Sequence, residues 1–562
     1  MFKSLSKKVF SAVLLICVYP SLRSQDLSET HTEVPDDPYV FVDRESMERG
    51  PSYRINGSDF FTRQVNVDSN GNDILGDAAN EPSIAVDPTN PNRIVIGWRQ
   101  FDTVTSNFRQ AGNGFSLDGG LTWEFPGVLD PGFFRSDPVL DFDANGNFYY
   151  NSLRGGFNCD VYKITNGGVD WGAPFPAYGG DKQWMRIDKT NGISARNNYS
   201  NWNPSFTTCS PGFFTRSTDG SNTFENCSLI DSNPIWGTLA VDSDGVLYIT
   251  GKYGSDVVLV KSSTAQDPNI SPVTWDSVST VDLDGRIWAQ VPPNPSGLMG
   301  QVWVDVDISN GPGQNNVYVL ASVNRNSISD PGDVMFARST DNGNNFDAPQ
   351  RINDDVGETA YQWFGTMSVA PNGRIDVAWL DTRDAPSGTN LSALYFTYSE
   401  DQGVTWSGNL KLSDQFDPNI GYPQQNKMGD YFDMVSDNNG AHLAWVNTFN
   451  GGQDVYYSHI TPSLLGITTF ASEVVDNLKC VPNPFKDQTT IQFTSKKDQN
   501  VRVEIFDISG RIMKTLLNES VQGAQQLVWD GTNIQNVKVQ SGLYFVRLSA
   551  SETTKVSRLI LE

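Results

Sequence analysis

One turn sequence recurs through the middle of the chain and constrains its fold more than any other feature. It has the form Ser-Xaa-Asp-Xaa-Gly-Xaa-Thr-Trp at residues 116–123 and 399–406, and recurs at 339–346 with Asn345 and Phe346 in the last two places. A copy at 217–224 has Ser221 in place of Gly; 166–171 is a weaker copy and 262–275 a stretched one. Ser and Asp side chains bond a turn backbone, Gly takes positive φ, and the aromatic packs between sheets. Each turn belongs to a longer unit in which two apolar strands flank a short turn. Such pairs begin at Pro82, Pro138, Trp184, Trp236, Trp303, Trp363 and Tyr431. The seventh unit ends at Val455-Tyr-Tyr-Ser-His459 with no turn motif after it. Its outer strand is expected from Arg63-Gln-Val-Asn-Val67, which would tie the ring and remove exposed edges. Residues 60–465 therefore read as all-β, a seven-bladed β-propeller, with six blades as the runner-up if one weak repeat is an insertion.

The turn motif resembles the Asp-box of sialidases and related propellers. It marks the fold strongly and catalysis weakly, because it sits on the face away from the usual active site.

The ends read differently. Residues 1–24 have a basic start (Lys3, Lys7, Lys8) and a short apolar run, Val9 to Tyr19, as in a secretory signal. Residues 25–59 form an N-terminal extension, 466–474 a linker, and 475–562 a small C-terminal β-sandwich of alternating strands with Gly turns. That last segment carries, in order, Pro482-Asn-Pro-Phe485, Asp507-Ile-Ser-Gly-Arg511, Trp529-Asp-Gly531 and Ser541-Gly-Leu-Tyr544. The series resembles the C-terminal sorting domain of the type IX secretion system of Bacteroidota. The resemblance implies contact with that machinery and a secreted or cell-surface protein; a carbohydrate-binding sandwich is the alternative. Export permits disulfides. Cys209 and Cys227 bracket one hairpin and are the expected pair, with free buried thiols as the alternative.

Net charge is −25, which argues against nucleic acid or an anionic membrane as partner. In a propeller the first strand of each blade starts at the face onto which the loops between second and third strands also open. Before the first strands lie Glu81, Asp137, Asp181-Lys-Gln-Trp184, Trp236, Trp303, Trp363, Asp430 and Tyr431; after the second strands lie Arg99, Arg154, Lys252-Tyr253, Arg325 and Asp381-Thr-Arg-Asp384. Five cations near equivalent strand ends (Arg99, Arg154, Lys252, Arg325, Arg383) suggest a cationic ring, because Arg forks onto carboxylate or sulfate. Trp184, Trp303 and Trp363 suit sugar faces or the channel wall. The functional reading is an anionic extracellular glycan; the structural alternative pairs these cations with the neighbouring aspartates.

The sialidase resemblance implies an arginine clamp from Arg99, Arg325 and Arg383, a nucleophile in Tyr253 or Tyr431, and an acid in Asp102 or Asp137. The family's Arg-Ile-Pro motif is replaced here by Glu81-Pro-Ser-Ile84. A polysaccharide lyase would use Tyr253, Tyr361, Tyr431 or His442 as base; a hydrolase would pair two of Glu81, Asp137, Asp181 and Asp430. The favoured reading is an enzyme that degrades an anionic polysaccharide or glycan as hydrolase or lyase; non-catalytic glycan or protein binding is the alternative. No cofactor is expected, with calcium as the alternative: Asp141-Phe-Asp-Ala-Asn-Gly146, Asp68-Ser-Asn-Gly-Asn-Asp73 and Asp242-Ser-Asp-Gly245 match the start of a calcium loop but lack its distal Glu. The mature chain is expected to be a monomer with no membrane span.

Overall fold

The computed structural model describes residues 36–462, 475–507, 511–550 and 553–561. The expected signal (1–24) and linker (466–474) lie outside them. The chain divides into two units, Met1–Pro462 and Ser463–Glu562. Both are all-β; the only helical element among the described residues is one 3-10 turn, Arg44–Ser46.

In the first unit, apart from the two-stranded pairs Arg49–Gly50/Asp73–Ile74 and Ala289–Val291/Asn294–Leu298, the strands form seven small sheets that follow one another along the chain. Their first strands are Ala78–Val86, Arg135–Phe142, Trp184–Ile187, Leu239–Val241, Trp303–Val306, Gln362–Val369 and Asp433–Ser436, and the sheets are numbered here in that order. Each continues outward through antiparallel neighbours; in sheet 2 these are Phe148–Arg154, Asn158–Ile164 and Phe175–Ala177. Each first strand touches the next in order, and the seventh touches the first. The first strands therefore line one axis.

Sheet 7 is completed from the N-terminus. Phe60–Gln64 pairs antiparallel with Asp454–Ile460, and Arg54–Asn56 adds a fifth strand. The paired segment lies three residues N-terminal to the stretch expected from sequence; Val65 N still donates to Val455 O at 2.8 Å.

Neighbouring first strands splay too far apart to share a ladder, so their buried amide groups need other partners. A side chain supplies one at every junction. Leu140 N donates to Ser83 Oγ, Ile187 N to Asp141, Val304 N to Thr238 Oγ1, Val369 N to Asp305, Ser436 N to Ser368 Oγ and Ile84 N to Asp433. At the remaining junction Arg186 Nε donates to Leu239 O at 2.8 Å. These bonds set the polar character of the axis before any ligand is considered.

The turn motif folds as its chemistry suggests. Gly120 N donates to Ser116 Oγ, while Asp118 accepts from Thr122 N and Oγ1. The same bonds recur around Ser217/Asp219, Ser339/Asp341 and Ser399/Asp401. Ser221, which replaces the glycine, takes the same left-handed backbone at φ 64°. Cys209 and Cys227 are joined, and Cys159 and Cys480 are free thiols.

In the second unit five strands pair in the order Val475–Val481, Thr489–Asp507, Gly542–Ala550, Thr553–Leu561, with Ile512–Trp529 on Thr489–Asp507. Its sequence motifs meet in the core. Phe485 and Tyr544 flank Trp529 at 5.5 and 5.2 Å between ring centroids, and Asn483 bonds both the Arg558 carbonyl and the Ile560 amide.

Candidate functional site

At the end of the axis where the first strands begin, one residue per sheet takes a left-handed backbone: Glu81, Asp137, Lys182, Trp236, Gly300, Phe364 and Gly429. Five of these are not glycine, and each costs on the order of 1–3 kcal/mol. At Glu81, Asp137 and Phe364 the strand register shifts as in a β-bulge. Gly429 is required: a Cβ there would lie 2.5 Å from Glu81 Cγ.

The sequence-selected residues do meet here, but in the interior. Glu81 and Arg99 are each 1% exposed and pair at 3.1 Å. Lys427 lies 3.7 Å from Glu81 and 2.9 Å from Asp430; Lys182 reaches Asp430 at 3.0 Å and Asp181 at 3.5 Å. Asp137 accepts the Lys182 amide at 3.0 Å. Burial pushes the Glu81 carboxyl well up, against the pull of Arg99 and Lys427. Tyr431 donates to Pro138 O at 2.7 Å, and its hydroxyl is held far above its ordinary pKa by burial, then by Glu81.

Below this layer Trp184 meets Trp303 at 5.3 Å and Tyr431 at 5.2 Å. These rings come from sheets 3, 5 and 7, which are not neighbours, so they close the axis from across it. From outside, the hairpin Ala289–Val291/Asn294–Leu298 covers the same end. Asn294 bonds Leu298 O, Gly429 O and Met428 N; Leu298 N donates to Asp430; Asn390 holds Pro292 O. Trp288 and Val291 pack on the cluster that contains Trp363, Phe364 and Met428.

Several sequence expectations are corrected by this burial. Trp184, Trp303 and Trp363 are core residues and present no sugar platform. Glu81, Asp137 and Tyr431 are buried beneath the hairpin. Arg99 is consumed by Glu81. Arg325 is held by Asp284 and Asp333, Arg383 by Asp381 and Asp354, and Arg154 by Asp160 at 3.1 Å. Lys252 is buried under the Trp236 ring at 4.9 Å. Asp102 accepts from Gln110 at 2.7 Å and lies 4.0 Å from Arg44. Tyr253 is exposed at a strand end, Tyr361 is half-buried, and His442 is a strand residue bonded to Tyr457 at 2.7 Å. The calcium-like loops spend Asp68, Asp143 and Asp242 on their own turn amides. Among the described residues no group of three or more His, Cys, Asp or Glu is placed to hold a metal.

The opposite end of the axis is open. A cavity of about 790 Å³ lies where the first strands finish. Its wall includes Arg186, Lys189, Asp305, Ala240 and Ser368; its mouth is set by turn residues such as Ala144, Ile308, Pro371 and Asn438. Lys189 Nζ lies 2.6 Å from Asp141, and Arg186 Nη1 3.8 Å from it. Desolvation lowers Lys189 and raises Asp305 and Asp433, the last to about 7. Sequence reasoning passed over these residues. The available signal was a shared register: Asp141, Arg186 and Asp305 stand two places before the turn aspartates Asp143, Asp188 and Asp307, where other repeats carry Ala85 and Ala240.

Comparison with known proteins bears on the second unit. Residues 479–562 match the family described as Secretion system C-terminal sorting domain. Among curated protein sequences none matches the chain. A Dyadobacter fermentans protein of unknown function is 13% identical, covering 72% of this chain and 99% of its own, with TM-score 0.39. A fungal alcohol oxidase in complex with copper is 9% identical, covering 92% and 99%, with TM-score 0.45. The Trypanosoma rangeli sialidase is 10% identical, covering 90% and 89%, with TM-score 0.34. At these TM-scores the likenesses carry no argument about activity. The sorting domain of the type IX system makes this an exported protein, at the cell surface or secreted, and implies contact with the secretion machinery. No helix among the described residues is long and apolar enough to cross a membrane.

Proposed function

We propose that this protein is an exported seven-bladed Asp-box β-propeller, with a C-terminal β-sandwich for sorting, that binds an extracellular glycan without cleaving it. The ring of seven sheets and its closure by an N-terminal strand support the architecture. One observation carries the non-catalytic reading. At the end where the repeat places catalytic groups, acids and cations neutralise each other between a covering hairpin and an aromatic layer. A hydrolase needs two reachable carboxylates and a lyase a reachable base beside a free cation.

The test uses the full exported chain on sialosides, uronate polysaccharides, sulfated algal polysaccharides and neutral glycans. Reducing ends and the ultraviolet absorbance of unsaturated uronate are followed together, and retention on the same immobilised glycans is measured. The expected result is retention with neither product. Reducing ends alone would make it a hydrolase, and both signals a lyase; either overturns the proposal.

A further inference from the structure

We infer that the open axial cavity is the binding site and that it takes an uncharged saccharide, such as a neutral oligosaccharide or the end of a neutral chain. The inference rests on the glycan-binding reading above and departs from the anionic ligand that the sequence suggests.

Size and access come first. The cavity's 790 Å³ falls within the span of about 300–1,000 Å³ usual for small-ligand sites. Among the described residues the other end of the axis is filled by Trp184, Trp303 and Tyr431.

The charge inventory then selects the ligand class. The charged side chains that line it are Arg186, Lys189 and Asp305 in the wall and Asp87 and Asp437 at the turns; Asp141 and Asp433 are buried near Arg186, outside the lining. Lys189 is bound to Asp141, so it has no surplus attraction for an anion. A carboxylate or sulfate entering here would approach Asp305 and, at the turns, Asp87 and Asp437. A cation would approach the Arg186 guanidinium, whose side chain is 21% exposed. Nη2 of that guanidinium makes no hydrogen bond among the described residues, and Arg186 lines the hollow. Asp305 offers acceptors beside it: its oxygens take the Val369 and Val306 amides, one each, leaving further lone pairs. A wall of adjacent donors and acceptors with little net charge suits hydroxyl groups, which do both. Apolar patches at the mouth, Pro88, Pro371 and Ile308, suit the C–H faces of a pyranose.

Two substitutions test this in the full exported chain, by calorimetry against neutral tetrasaccharides of glucose, mannose and galactose, with tetragalacturonate for contrast. Ala144→Trp narrows the mouth at an exposed turn position and touches none of the ion pairs. Arg186→Lys keeps the charge and removes the fork. The expected result is binding of a neutral tetrasaccharide, weakened about tenfold or more by each change, the size of one charge-assisted hydrogen bond. Ala144→Trp is expected to leave the melting midpoint unchanged, so it decides the matter even if Arg186→Lys does not fold. Neutral binding untouched by Ala144→Trp would overturn the cavity as the site and leave glycan binding standing. Binding of tetragalacturonate alone would overturn the uncharged class. Retention by no glycan would overturn the functional proposal itself, and this inference with it.

Discussion

The two ends of the axis of the first unit carry nearly the same chemistry and opposite access. One gathers Glu81, Asp137 and Asp430 with Arg99, Lys182 and Lys427; the other gathers Asp141, Asp305 and Asp433 with Arg186 and Lys189. The difference lies in the side chains beside the charges. Trp184, Trp303 and Tyr431 fill the first end, while Ala240 and Ser368 leave the second hollow. Ionisable clusters alone do not identify a site, because a ring of sheets needs buried polar groups to satisfy its own backbone. Steric access separates a structural cluster from one a ligand can reach.

The largest effect that would break this comparison is at the sealed end. Arg99→Met leaves Glu81 with only the longer Lys427 contact, and loss of one partner of a buried pair is expected to cost about 3–5 kcal/mol. Urea unfolding of the exported chain reads it; a loss under about 1 kcal/mol would mean that the pair is not structural. Next is the cover. Asn294→Ala removes the partner of Met428 N and Gly429 O, and is expected to cost about 2–3 kcal/mol. Hydrogen exchange should then rise at residues 426–431 and not at 186–189; equal rise at both would erase the distinction.

A pH experiment sharpens the open end. Burial raises Asp433 to about 7, so between pH 4 and 7 the folded chain holds a proton that the unfolded chain has lost. Stability from this group falls as pH rises through that window, by at most about 1.4 kcal/mol per unit. His459 acts oppositely: burial, then His442, lowers it to about 4, so its contribution grows as pH rises from 4 to 6.5. The difference between the parent and Asp433→Asn cancels His459, and it should grow in the variant's favour from pH 4 to 7. A flat difference would mean that Asp433 is ionised throughout. The smallest effect is at the rim. Arg154, with its side chain 43% exposed, faces an Asp160 that Arg135 already holds, and Arg154→Ala is expected to cost under about 1 kcal/mol by thermal melting.

How far the site was legible follows from these same residues. The repeat placed Glu81, Asp137, Lys182, Asp430 and Tyr431 at equivalent positions, and they do meet. It could not register that Ala289–Leu298, inserted before the fifth first strand, crosses to Gly429 of sheet 7. The charged register of Asp141, Arg186 and Asp305 was visible as letters. Its meaning depended on knowing that neighbours at that level are small.

The sequence alone determined the all-β repeat, its closure by an N-terminal strand and the exporting tail. These rest on local turn chemistry and strand periodicity, which act within a few residues. The tertiary structure decided which end of the axis is open. Access is a property of side chains brought together from four or more sheets, and no single repeat contains the volume that fills or empties the centre.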